Sequence, residues 1–168
     1  MKNNIVLIGM PGAGKSTVGV LLAKAMNYQF LDTDLTIQQE QGKKLFEIIN
    51  EKGLDEFLNI ENDVLSRIDA FNSVIATGGS AVFGKEAMEH LKSIGYIVYI
   101  KLSCEEIIRR VNNIKTRGIA MKKGKTIADV YKERVPLYDK YADIIVDAEG
   151  TTIEECVESI IEACENIK

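Results

Sequence analysis

The segment Ile5-Val6-Leu7-Ile8-Gly9-Met10-Pro11-Gly12-Ala13-Gly14-Lys15-Ser16-Thr17 restricts what this chain can fold into more than any other. Residues 9–16 fit the spacing G-x-x-x-x-G-K-[ST]. An apolar run of strand length precedes the loop, and an Ala/Leu/Val-rich helical pattern follows it over residues 17–26. That order of strand, glycine loop and helix turns backbone N–H groups inward on a polyanion at the positive end of a helix. Gly9, Gly12 and Gly14 lack the Cβ that would forbid the φ/ψ values such a loop takes. Lys15 is then expected to reach the β- and γ-phosphates of a nucleoside triphosphate, and Ser16 to ligate Mg²⁺. The competing reading is a plain glycine turn before an ordinary helix.

At 168 residues and 46% hydrophobic content, the chain suits one α/β domain with a full core. The net charge is −4, and basic residues cluster only around residues 115–125, so no nucleic-acid surface is expected. No apolar run reaches membrane-spanning length, and the first one leads into the phosphate loop rather than a cleavage site. A cytoplasmic protein with no membrane partner is the expectation. Cys104, Cys156 and Cys164 lack CxxC spacing, and His90 alone cannot nucleate a zinc site, so the cysteines read as core or surface thiols. Nothing demands a dimer, and the expected state is a monomer or weak oligomer.

Strands are predicted over residues 5–8, 30–32, 74–76, 96–102 and 143–146, each rich in β-branched or aromatic residues and separated by helical patterns. This alternation predicts a parallel, doubly wound sheet. Helix starts are marked by Ser103 with Glu106, Thr126 with Asp129, and Thr151 with Glu154. In the last helix Ile153, Val157, Ile160, Ile161 and Cys164 form a docking face. Two segments break the alternation. Residues 33–67 read as consecutive helices, an acceptor-binding module; residues 112–125 are basic and glycine-punctuated, a lid. Both belong to the loops that converge beyond the carboxyl ends of parallel strands.

Those loops hold the candidate chemistry. Asp32-Thr33-Asp34 puts two carboxylates on one side of an extended segment, suiting Asp32 to Mg²⁺ and Asp34 to orienting or deprotonating an acceptor hydroxyl. The competing reading is a solvated turn with a helix cap at Asp34. Gly78 and Gly79 permit close approach of backbone to ligand. Arg117 beside Gly118 can close over phosphate charge from the lid. Of Arg109 and Arg110, one can stack on adenine and the other pair with Glu105 or Glu106. Arg134, before Pro136, either projects into the cleft to hold an acidic substrate or makes a surface ion pair with Glu133 or Asp129; taken alone, the residues favour the ion pair.

In order and spacing, Gly9 to Thr17, Asp32-Thr33-Asp34, Gly78-Gly79, Arg110, Arg117 and Arg134-Val135-Pro136-Leu137-Tyr138 resemble the shikimate kinase family over nearly the whole chain. The resemblance implies a phosphate-loop kinase fold with a five-stranded parallel sheet, a helical acceptor module and a lid. It also implies ATP on Gly12, Ala13, Gly14, Lys15, Ser16 and Thr17, with Arg110 on adenine. Ser16 and Asp32 are implied for the metal, and Arg117 for phosphate. A small hydroxy acid would meet Asp34, Gly78, Gly79 and Arg134, with Lys15, Asp34 and Arg117 forming the catalytic set. Three positions depart from the family: Leu58 stands where an acceptor-carboxylate arginine is usual, Ser80 replaces the third glycine, and the lid reads Arg117-Gly118-Ile119-Ala120 instead of Arg-Pro-Leu-Leu. Shikimate is therefore the first expected acceptor and homoserine, or another hydroxy amino acid, the second. A nucleotide kinase of the same fold and a nucleotide-binding regulatory module without acceptor chemistry are the remaining readings.

Overall fold

The computed structural model describes residues 2–112 and 119–167. Five parallel strands form one sheet in the order β2-β3-β1-β4-β5. β1 (Asn4–Ile8) is buried at every position, because strands pair on both its edges and helices cover both faces of the sheet. β2 (Gln29–Asp32) and β5 (Ile144–Asp147) are the edges, and their burial is correspondingly partial. β3 (Ser73–Ala76) and β4 (Gly95–Lys101) flank β1, in registers that pair Ile5 with Val74 and with Tyr96. Each strand falls within a residue or so of its expected place.

α1 (Lys15–Met26) follows the phosphate loop, starting at Gly14 with φ 89° and ending at Asn27 in the left-handed region. The run between β2 and β3 is three helices: α2 (Thr33–Gln41), α3 (Leu45–Lys52) and α4 (Leu54–Ser66). A single 3-10 turn (Ala81–Phe83) precedes α5 (Lys85–Ile94). α6 (Cys104–Asn112) and α7 (Ile127–Tyr141) flank the lid segment, and α8 (Ile153–Ile167) closes the described chain against α1. No described helix is long and apolar enough to cross a membrane. Cys156 and Cys164 are buried in α8, Cys104 is half-buried, and all three are free thiols.

Two helix starts differ from the sequence reading. α8 is capped by Thr152 with Glu155, one residue beyond the expected pair, while the Thr151 hydroxyl donates to Ala148 O. Its buried face is Cys156, Val157, Ile160 and Cys164, with Ile153 left exposed. At α6 the Ser103 hydroxyl accepts from the Glu106 N–H as expected. The returning acceptor, however, is Glu149 and not Glu106, whose carboxylate is held by two arginines. The Thr126–Asp129 box at α7 forms as expected.

At the opposite end of the sheet from the glycine loop, Asn4 joins three segments. Its amide donates to Ala70 O at 2.8 Å and Ile94 O at 3.0 Å, and its carbonyl accepts from Ser73 N at 3.0 Å. Asn4→Ala would leave these buried groups unpaired, so we expect a loss of about 2–4 kcal/mol of stability and a Tm lower by roughly 5–15 °C. A thermal melt within about 2 °C of the native protein would contradict that role.

Candidate active site

The carboxyl ends of β1, β2 and β3 open onto a cleft of about 560 Å³ lined by residues from the glycine loop, α2, α3, α4, the turn after β3 and α7. Of the sequence candidates, Gly12, Gly14, Lys15, Ser16, Asp32, Asp34, Gly78, Gly79 and Arg134 line it. Arg117 and Gly118 lie outside the described residues, as does all of 113–118 within the expected lid at 112–125.

On the loop side, the Lys15 ammonium is nearly buried and donates to Gly9 O at 2.7 Å and Met10 O at 2.8 Å, which turns it along the inside of the loop. Ala13 is buried in the loop, and Thr17, exposed, occupies the first turn of α1. The Ser16 hydroxyl donates to Asp32 Oδ2 at 3.0 Å, while Asp32 Oδ1 accepts the N–H groups of Asp34 and Leu35 and so caps α2. The cap is thus Asp32, not Asp34: one carboxylate both starts the helix and faces the hydroxyl across the loop. A hydroxyl and a carboxylate oxygen at a helix N-terminus are hard donors of the kind Mg²⁺ accepts beside phosphate and water. Among the described residues no group of three or more His, Cys, Asp or Glu side chains could hold a metal by itself.

Arg110 lies against this loop from α6. Its Nη1 donates to Ala13 O at 3.4 Å and its Nε to Glu106 at 2.8 Å. Arg109 grips the same Glu106 through two nitrogens, and the two guanidinium groups hold that carboxyl down to about 2. Both arginines therefore pair with Glu106, where the sequence reading divided them, and Arg110 alone reaches the loop.

On the other side, the turn after β3 is tied in at both ends. The Thr77 hydroxyl donates to Leu7 O at 2.8 Å and the Tyr138 hydroxyl to Gly79 O at 2.6 Å. A Cβ on Gly78 would lie 2.7 Å from Asp34 Oδ1 and 3.1 Å from Glu61 Oε2; one on Gly79 would strike Pro11 of the glycine loop. Only glycine lets these carboxylates, the turn and the loop meet.

Arg134 is not on the surface. It is 3% exposed, donates to Ala120 O, and sits over the Phe83 ring with its carbon 5.4 Å from the centroid. The expected ion pair with Glu133 or Asp129 does not form: Glu133 pairs with Lys125, and Asp129 caps α7. Burial beside Glu61 and the bare Gly79 decides the matter, since a guanidinium out of water needs close partners.

Glu61 is the residue that sequence reasoning missed. It is 2% exposed and accepts from the Ser80 hydroxyl at 2.6 Å, yet its other oxygen has no partner. Burial pushes its carboxyl up to about 7, and the charge of Asp34 adds to this against the Ser80 bond, Arg134 and Lys15. The signal was present: Phe57, Glu61, Val64 and Leu65 form the buried stripe of α4, and a glutamate on such a stripe needs a reason. Lys44, also unflagged, lines the cleft at the start of α3. Leu58 does not line it; it packs against the core and borders an adjoining cavity of about 210 Å³ that shares Ala120 and Arg134 with the cleft.

The arrangement brings the glycine loop, a hydroxyl bonded to a carboxylate, a second carboxylate and a buried guanidinium to one space. It can hold a polyphosphate at one end and an anionic hydroxy compound at the other.

Known proteins resemble this chain over nearly its whole length. The family model described as shikimate kinase matches residues 11–165. A shikimate kinase of Clostridium botulinum (strain Eklund 17B / Type B) is 40% identical over 95% of this chain and 96% of its own length. One from Thermodesulfovibrio yellowstonii is 36% identical over 98% and 96%. Among solved structures, shikimate kinase from Acinetobacter baumannii in complex with shikimate superposes with a TM-score of 0.89 at 29% identity, covering 100% of this chain and 96% of that one. Shikimate kinase from Aquifex aeolicus superposes with a TM-score of 0.80 at 34% identity, covering 96% of each.

Proposed function

This chain belongs to the shikimate kinase family, and from that premise we propose that it transfers the γ-phosphoryl group of ATP to a hydroxyl of shikimate. The observation that carries the reading is the convergence of Lys15, Ser16 and Asp32 with Asp34 and Arg134 on one cleft. In this reading the N–H groups of Gly12, Ala13, Gly14, Lys15, Ser16 and Thr17 wrap the phosphates, and Arg110 flanks the loop on the adenine side. Lys15 leaves its loop carbonyls for the β- and γ-phosphates. Ser16 and Asp32 hold Mg²⁺, which when bound neutralises triphosphate charge.

At the other end Arg134 and the turn at Gly78 and Gly79 hold the acceptor carboxylate and ring. Asp34 accepts the proton of the attacking hydroxyl, whose oxygen forms its bond to phosphorus as the bridging oxygen departs with ADP. Positioning and fixed charge supply most of the rate, because loose phosphoryl transfer asks little covalent chemistry of the protein. Arg117 is assigned to the transferring phosphate from the sequence resemblance alone. Residues 33–67 form the acceptor module and 112–125 the lid in this reading.

The test is ADP release from Mg²⁺-ATP with shikimate, homoserine and a panel of nucleoside monophosphates, ranked by kcat/KM. Preference for shikimate is expected; preference for homoserine or a nucleotide would replace the acceptor. Leu58 sharpens the test. A hydrogen bond to a charged group contributes about 1.5–3 kcal/mol, so Leu58→Arg should lower the shikimate KM roughly tenfold or more with kcat little changed. An unchanged KM would mean that a cation already present, such as Lys44 on the cleft wall, completes the site.

A further inference from the structure

Glu61 is a carboxyl that the phosphoryl transfer just described leaves without a part. It stands on the buried face of α4 directly under the acceptor turn, with Oε1 bound by the Ser80 hydroxyl at 2.6 Å and Oε2 unpartnered. Oε2 and Asp34 Oδ1 both face the bare Cα of Gly78. The charged and titratable groups around it are Asp34 from α2, Lys15 from α1, Arg134 from α7 and the buried phenol of Tyr138, also from α7. Two carboxylates and two cations thus meet at one turn, with Glu61, Lys15 and Arg134 buried and Asp34 half-buried at the cleft wall. A third carboxylate, that of the acceptor, has to enter next to it.

We propose that Glu61 is a positioning residue of the acceptor pocket that acts through its own proton: neutral, it leaves Arg134 to the acceptor carboxylate; ionised, it competes for that guanidinium. The inference rests on the reading of the cleft as a carboxylate-acceptor site. In the neutral state the carboxyl still accepts from Ser80 through Oε1, so the Gly78-Gly79-Ser80 turn stays in place, and the proton removes the charge from a buried carboxyl whose Oε2 has no hydrogen-bond partner. Ionisation places a second negative charge beside Asp34 in a low-dielectric space, where like charges repel most strongly. Ser80 belongs to the same device. Its hydroxyl favours the charged form of Glu61, so it sets the pH at which the change occurs, and burial brings that change to about 7.

By linkage, a carboxylate that binds more tightly to the protonated site must draw a proton onto it. At pH 7, shikimate binding is expected to take up about half a proton, read as the dependence of binding heat on buffer ionisation heat. The shikimate KM is expected to rise about tenfold from pH 6 to pH 8.5 with kcat changing far less, and the ATP KM staying level.

Glu61→Gln, an uncharged mimic that keeps the acceptor for Ser80, should show a low, pH-independent shikimate KM and no proton uptake. Ser80→Ala should move the KM rise to higher pH. A shikimate KM that is flat with pH in the native protein, or a Glu61→Gln profile identical to the native one, would overturn the inference while turnover with shikimate upheld the kinase reading. Absence of shikimate-dependent ADP release at every pH would remove that reading and this inference with it.

Discussion

Asp34→Asn is expected to lower kcat/KM for shikimate by about 10²- to 10⁴-fold with the Tm unchanged, since a positioned general base contributes about that much. Asn keeps the size and the hydrogen-bonding reach of the side chain but takes no proton. The fold should not notice, because the cap of α2 is made by Asp32 Oδ1 and not by Asp34. The ATP site should not notice either, since the Ser16–Asp32 bond and the Lys15 contacts lie on the loop side of the cleft. The checking measurement is steady-state ADP release alongside a thermal melt. Near-native kcat with intact folding would remove Asp34 from the reaction and leave it as a wall of the pocket.

Arg134→Met is the second large effect. It should raise the shikimate KM by about a hundredfold or more, because truncating one partner of a buried charge pair costs roughly 2–5 kcal/mol. The loss is not confined to the acceptor. Ala120 O loses its donor, the Phe83 face loses its cation, and Glu61 loses one of the two positive charges that oppose its neutralisation. The Tm should therefore fall as well, while the ATP KM stays near native. Arg134→Lys should recover the stability in part and the shikimate KM poorly, since an ammonium cannot offer a planar fork to a carboxylate and to Ala120 together. A shikimate KM that moves no more than the ATP KM would show the guanidinium to be structural.

The two arginine readings mark where the sequence stopped being legible. Arg134 shares a buried helix face with Val130 and Tyr138, four residues to either side, and that spacing was readable. What spacing cannot tell is that α7 lies across the mouth of the cleft, so its inner face meets Glu61 and Gly79 and not a dry core. The Thr151-Thr152-Ile153-Glu154-Glu155 run offers two capping boxes one residue apart, and local chemistry cannot choose between them; the bond from Thr151 to Ala148 does. By contrast, the strands were legible because each is a short apolar run between helical patterns. The glycine loop was legible because its chemistry is local: backbone donors, one lysine and one hydroxyl in a row. The half of the cleft proposed for the acceptor is assembled from α2, α4, the turn after β3 and α7, residues up to a hundred apart in the chain. A residue such as Glu61, whose meaning comes wholly from its neighbours in space, is the kind of group that one strand of text does not disclose.

If the two ends of the cleft act on one bond, the phosphate lost from ATP reappears on shikimate. The most direct test is to incubate the protein with Mg²⁺-ATP and shikimate and count products by phosphorus NMR. One phosphate ester formed for each ADP, with negligible inorganic phosphate, is the predicted result. ADP accompanied by inorganic phosphate at a rate indifferent to shikimate would contradict the account and leave a nucleotide-binding module without acceptor chemistry.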